Sequence, residues 1–116
     1  DTATKAPLEN YYHGFLNGIF TSCEKLVSEY HSNYESGNGY PDITFKAERN
    51  TKAVIIEIKA TSNEEDMDEL ATNALSQIEE KNYAQPFIKQ SKITEIYAYG
   101  LVFCKKDCLV FCKKLK

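Results

Sequence analysis

A chain of 116 residues with 42% hydrophobic and 27% charged side chains is long enough for one hydrophobic core and too short for two, and it is not composed like a disordered segment. Its net charge of −3 and pI near 5.4 exclude a protein that coats nucleic acid by bulk electrostatics. No apolar run reaches the ~18 residues of a membrane span, and nothing resembles a secretory signal, so a cytoplasmic location is expected.

The chain opens at Asp1 without a methionine and reads as an excised domain or processed fragment. Residues 1–7 are polar, end in Pro7, and read as a frayed lead-in or linker, leaving 8–116 as the domain. From Leu8, apolar positions Tyr12, Phe15, Leu16, Ile19, Phe20, Cys23 and Leu26 recur at helical spacing and predict a helix to about residue 25. Gly14 and Gly18 weaken that helix but would let a neighbouring backbone approach closely. His13 adjoins the apolar stripe, where spacing alone favours a packed or surface histidine over a ligand. Val27 to Glu35 alternates and predicts a first strand, closed by the turn Ser36-Gly37-Asn38-Gly39. Two glycines just before Asp42 also suit a loop that a bulky phosphate must approach.

Residues 40–60 predict a β-hairpin. Both arms alternate or run apolar, and Glu48-Arg49-Asn50-Thr51 is the only polar break. A compact even-residue turn there pairs 47 with 52, 45 with 54, 43 with 56 and 42 with 57. One face then carries Ile43, Phe45, Val54 and Ile56, fit for a core. The other carries Asp42, Thr44, Lys46, Ile55, Glu57 and Lys59, and a slip of one residue would exchange the two sets. Directly opposed side chains have Cβ atoms about 4.5–5.5 Å apart, and like charges so placed are destabilising unless something binds between them. Asp42 and Glu57 are therefore candidate ligands of one divalent cation, because Mg²⁺ takes one or two carboxylates plus waters and substrate phosphate. A plain solvated ion pair accounts for Lys59 with Glu57 but leaves Asp42 opposite Glu57 unexplained.

After the hairpin, Ser62 as N-cap with Glu65 three residues later predicts a helix opened by a capping box. Met67, Leu70, Ala71, Ala74, Leu75 and Ile78 form its buried stripe, with Gln77 at the margin. Tyr83 follows Gln77 by six residues, which at about 100° per residue puts it well off the Gln77 face. Pro86 limits the helix, and Ile93 to Cys104 predicts a buried strand. Leu101 to Lys106 is nearly repeated as Leu109 to Lys114, which predicts a closing hairpin. Of the four cysteines, Cys104, Cys108 and Cys112 fall at intervals of four. That is not a zinc pattern; free thiols are the default, with Cys104–Cys112 as a minor disulfide alternative. Lys105, Lys106, Lys113, Lys114 and Lys116 read as a solvated edge or, less readily, as a track for a phosphate backbone.

Pro41-Asp42, a gap, then Glu57-Ile58-Lys59 resembles the signature of the PD-(D/E)XK nuclease superfamily. The string Glu35 to Ile43 resembles, more narrowly, the nuclease domain often found at the C-terminus of bacterial AAA-ATPase-like proteins. Tyr12-His13-Gly14 and Ala74-Leu75-Ser76-Gln77-Ile78 followed by Tyr83 complete a set spanning about residues 9–104. The resemblance implies a restriction-endonuclease-like αβββαβ core, an α/β fold with a central mixed sheet flanked by helices. It implies a metal-dependent nuclease acting on DNA more than RNA, using Mg²⁺ or Mn²⁺, and leaving a 5′-phosphate and a 3′-hydroxyl. Asp42, Glu57 and the Ile58 backbone carbonyl would hold the metal, and Lys59 would position a water or stabilise phosphate charge. Gln77 would orient a water or phosphate oxygen. His13 becomes a candidate metal ligand because related RecB-type nucleases use a helix histidine. Glu35 reads equally as an upstream acidic ligand or an exposed strand-end carboxylate, and the Tyr83 match is imperfect, leaving helix-end packing or a phosphate contact. An upstream ATPase-like domain is the implied partner. The competing reading is a catalytically silent module that binds nucleic acid or docks a partner.

Overall fold

The computed structural model describes residues 2–33 and 39–116, with side chains from residue 8 onward. Glu35 and most of the glycine-containing turn lie outside the described residues.

Helix α1 spans Thr2–Thr21, so it starts before Pro7 and stops short of residue 25. Strands β1 (Val27–Ser32), β2 (Ile43–Ala47) and β3 (Lys52–Ala60) follow, then a 3₁₀ turn at Glu64–Asp66, helix α2 (Met67–Glu80), the short helix α3 (Gln85–Ile88), and strands β4 (Glu95–Cys104) and β5 (Asp107–Lys114). The five strands form one sheet in sequential order, β1-β2-β3-β4-β5. All pairs are antiparallel except β3–β4, which is parallel. A parallel pair needs a long crossover, and α2 with α3 is that crossover. The result is the mixed α/β sheet flanked by helices that the resemblance implies.

The β2–β3 register is the expected one: Ile43 pairs with Ile56, Phe45 with Val54 and Ala47 with Lys52. Its turn runs through three left-handed residues, Glu48, Arg49 and Asn50, at φ 50°, 58° and 66°, closed by the Thr51 N–H donating to the Glu48 carbonyl at 3.2 Å. Both faces of the sheet are covered. Ile43, Phe45, Ile56, Ile58 and Leu101 pack against Leu16, Tyr12 and Phe20 of α1. On the other side, Ala53, Ile55, Ile96 and Ala98 pack against Ile78, Tyr83 and Ala84, and Val102 and Cys104 against Met67 and Ala71. Gly14 and Gly18 meet no neighbour among the described residues. Gly100, in contrast, is required: a Cβ there would lie 2.8 Å from the Ala71 carbonyl oxygen and 3.0 Å from the Ala74 Cβ, so α2 rides directly on the strand.

The cap of the second helix differs from the expected capping box. Asn63, not Ser62, accepts a hydrogen bond from the Glu65 N–H at 3.0 Å, because the chain first makes a 3₁₀ turn. All four cysteines are free. Cys104 packs into the α2 face, whereas Cys112 pairs with Tyr99 on the opposite side of the sheet, so the minor disulfide alternative is ruled out. No helix among the described residues is long and apolar enough to cross a membrane.

Candidate active site

The site forms where β2 begins and β3 runs on past it. Ile43, the first residue of β2, pairs with Ile56, so beyond Ile56 no strand among the described residues lies along that edge of β3. Asp42 fills the gap with its side chain. Its Oδ2 accepts from the Ile58 N–H at 2.8 Å, and its own N–H donates to Glu57 Oε1 at 3.0 Å. The two acids are thus clamped by reciprocal main-chain bonds through Asp42 Oδ2 and Glu57 Oε1. A strand residue sends its N–H and C=O to the same edge when it faces an antiparallel neighbour, so the Ile58 carbonyl points toward Asp42 as well.

The electrostatics are those of two like charges in a poorly solvated place. Glu57 is only 2% exposed; burial first, and the Asp42 charge second, push its carboxyl up to about 8, against the Asp42 N–H and Lys59, with Glu9 adding to the upward push. Asp42 is also raised, chiefly by burial, with the Ile58 N–H and the Lys59 ammonium opposing. Without a cation Glu57 therefore keeps its proton at neutral pH.

Lys59 lies two residues along the same face, and its Nζ donates to Gln77 Oε1 at 2.9 Å. The close seat of α2 on Gly100, which pairs with Glu57, brings Gln77 within reach. Tyr83 is brought in by the way α2 ends. Asn82 takes a left-handed φ of 56°, the Tyr83 N–H donates to the Ile78 carbonyl and the Asn82 N–H to the Glu79 carbonyl, both at 3.1 Å. This is the Schellman arrangement, and it swings Tyr83 back under the helix. Tyr83 is buried in the field of both acids, which together with burial raises its hydroxyl. It lies beside the Gln77 amide without closing a hydrogen bond of normal geometry. The off-face placement expected from six helical steps fails because the helix does not continue that far.

His13 reaches the same end of the sheet from α1. It is buried, with Nε2 2.7 Å from Ser32 Oγ, and its ring also engages the main chain of Asp42 while burial lowers its pKa. A neutral imidazole there ties α1 to the strand carrying Asp42. Tyr12 stacks on Phe103 with ring centroids 4.2 Å apart and donates to the Lys105 carbonyl at 3.1 Å, fixing α1 over the site end. Two participants escaped the sequence reading. Glu9, whose charge acts on Glu57, stands four residues before His13, a helical spacing that would have exposed it. Ser32 carried no such signal.

Among the described residues no group of three or more His, Cys, Asp and Glu side chains is disposed to hold a metal. The donor set is the acid pair and the neighbouring main chain. Two converging carboxylates, Glu57 buried and Asp42 half-buried, each with one oxygen fixed by a main-chain N–H, fit a hard dication that keeps several waters. No curated protein and no solved structure matches the chain. A model of the PD-(D/E)XK nuclease superfamily matches residues 8–112, and with Asp42, Glu57 and Lys59 standing together as that signature requires, the chain belongs to this superfamily.

Proposed function

We propose that this domain is a divalent-metal-dependent nuclease that hydrolyses phosphodiester bonds, DNA in preference to RNA, leaving a 5′-phosphate and a 3′-hydroxyl. The observation that carries the reading is the Asp42–Glu57 pair, two acids converging in a poorly solvated place where each raises the cost of ionising the other, a cost that a cation between them would remove. Mg²⁺, with Mn²⁺ as a substitute, held by Asp42, Glu57 and the Ile58 carbonyl, would supply charge neutralisation at the phosphate and an acidified water. The remaining work falls to the protein. Asp42 and Glu57, fixed by main-chain N–H groups, offer preorganised oxygens. Lys59 provides an ammonium beside them and stabilises charge that builds on the phosphate oxygens in the transition state. Gln77 holds the Lys59 Nζ in place and presents its amide N–H groups to a water or phosphate oxygen. His13 fixes the Asp42 main chain.

The four free thiols support a reducing, cytoplasmic setting, and the Glu35 to Ile43 sequence string supports an ATPase-like partner domain. The test is cleavage of end-labelled DNA and RNA by the purified domain with Mg²⁺ or Mn²⁺. Wild type is expected to cut, and Asp42→Ala and Lys59→Ala to abolish cutting while keeping the far-UV spectrum and melting profile of a folded protein. Absence of cleavage with every divalent metal, with nucleic-acid binding unchanged in both variants, would establish the silent binding module instead.

A further inference from the structure

Beside the acids lies a cleft of about 620 Å³, within the ~300–1,000 Å³ range of small-ligand sites. It adjoins the catalytic centre: Pro41, directly before Asp42 in the chain, Thr44, two residues after it, and Tyr83 all line it. Tyr40, 61% exposed, lines it together with Phe87 and Lys81.

The cleft is built rather than left over. Lys46, buried on the sheet face, donates to Glu29 Oε2 at 3.0 Å and to Gln90 Oε1 at 2.6 Å, tying the end of α3 to β1 and β2. Glu29 reaches that ammonium from an irregularity in β1 between Ser28 and His31, at a left-handed φ of 50°. Bulges of this kind re-aim side chains next to functional sites. The Tyr83 hydroxyl is buried without a hydrogen-bond partner. An orphaned buried hydroxyl costs free energy unless a ligand satisfies it, and a phosphate or base oxygen would.

We infer that this cleft receives one unpaired nucleotide of the substrate strand, adjoining the scissile phosphate, with the base against Tyr40, the Tyr83 hydroxyl donating to the nucleotide and Lys81 at the flanking phosphate. The inference deepens the nuclease reading and rests on it. A cleft of this size suits a single nucleotide, which an intact duplex can offer only by extruding a base. Extruding a base from an intact duplex costs unpairing energy that single strands do not. The domain is therefore selective for single-stranded or locally unpaired nucleic acid.

The experiment compares one labelled sequence as a single strand, an intact duplex, and a duplex with a central mismatch, under Mn²⁺, for wild type, Tyr40→Ala, Tyr40→Phe and Tyr83→Phe. Expected are single strand cut fastest, mismatched duplex next and intact duplex slowest. Aromatic stacking losses predict about a tenfold or larger rise in KM for Tyr40→Ala on single strands, with Tyr40→Phe near wild type. Tyr83→Phe removes an unsatisfied hydroxyl, so its melting temperature is expected to hold or rise while single-strand affinity falls. A merely structural Tyr83 would not move affinity. Equal cutting of single strand and duplex, with Tyr40→Ala unchanged, overturns the cleft proposal and leaves the nuclease reading standing. If no substrate is cut, the nuclease reading falls, and fluorescence anisotropy decides the cleft separately. Single-strand binding weakened by Tyr40→Ala supports the cleft, and single-strand binding that is absent or indifferent to it overturns it.

Discussion

Glu57 carries the sharpest consequence of the geometry. Its folded pKa of about 8 stands above the ordinary 4.5, so between those values the folded domain holds a proton that the unfolded chain has released. An acid raised in this way favours folding at low pH, and that advantage is lost as pH rises through the folded value. In a chelator the domain is expected to lose stability progressively from about pH 5 to about pH 8, on the order of a few kcal/mol in total, and Glu57→Gln is expected to flatten the profile and to be more stable than wild type at pH 8. Melting temperatures across that range check both. Divalent metal displaces the same proton, so Mg²⁺ affinity is expected to rise with pH up to about 8 and to release close to one proton per site, measurable by calorimetry in buffers of different ionisation enthalpy. Opposed acids were legible in the chain, because the four-residue polar break Glu48–Thr51 left only one compact register. His13 and Glu9 were harder to read, since the apolar stripe of a helix says which face is buried but not which strand end it covers.

At the scale of elements, the site depends on how closely α2 sits on the sheet. Gly100 lies beside Glu57 in the parallel pair, and the missing side chain is what lets Gln77 reach Lys59. Gly100→Ala would place a methyl 2.8 Å from the Ala71 carbonyl oxygen, and since that oxygen belongs to the helix backbone, only a shift of the whole helix relieves it. Overpacking of this kind costs ~1–3 kcal/mol, so the expected result is a melting temperature several degrees lower together with a drop in kcat larger than the small loss of folded protein explains, because the Lys59–Gln77 hydrogen bond lengthens. A variant that melts lower yet keeps full kcat would show that the bond is not needed. The sequence placed Gly100 inside a strand but offered no partner for it; the Ala71 and Ala74 contact exists only once the crossover has folded back. Helical spacing misplaces Tyr83 off the Gln77 face for a similar reason. Its position is decided by Asn82 at φ 56°, and asparagine at a helix C-terminus is a weaker stop signal than glycine.

The domain as a whole is mildly acidic, so a phosphate backbone needs a local cationic path to reach the acids. The five C-terminal lysines look like one group in the chain, yet the hairpin separates them. Lys105 and Lys106 occupy the β4–β5 turn, just past Phe103, which pairs with Ala60 at the end of β3, and so stand at the catalytic end. Lys113 and Lys114 pair with Ala98 and Tyr97, about 26 Å along β5 from that turn at ~3.3 Å per strand residue; Lys113 is bound to Glu79 and Lys114 acts on the Glu95 carboxylate. With Lys113 and Lys114 already engaged by acids, the exposed turn pair Lys105 and Lys106 is the one expected to meet a strand that runs past the end of β3 from Asp42 and Glu57. Replacing Lys105 and Lys106 by alanine is expected to weaken nucleic-acid binding and to lower the dependence of log Kobs on log salt by up to about 1.4 to 1.8, two phosphate contacts at ~0.7–0.9 each. Replacing Lys113 and Lys114 is expected to leave both nearly unchanged. Fluorescence anisotropy in Ca²⁺, over a series of salt concentrations, reads the two slopes side by side, and equal slopes in the two double variants would mean that the strand crosses the sheet along β5 instead of leaving past its turn.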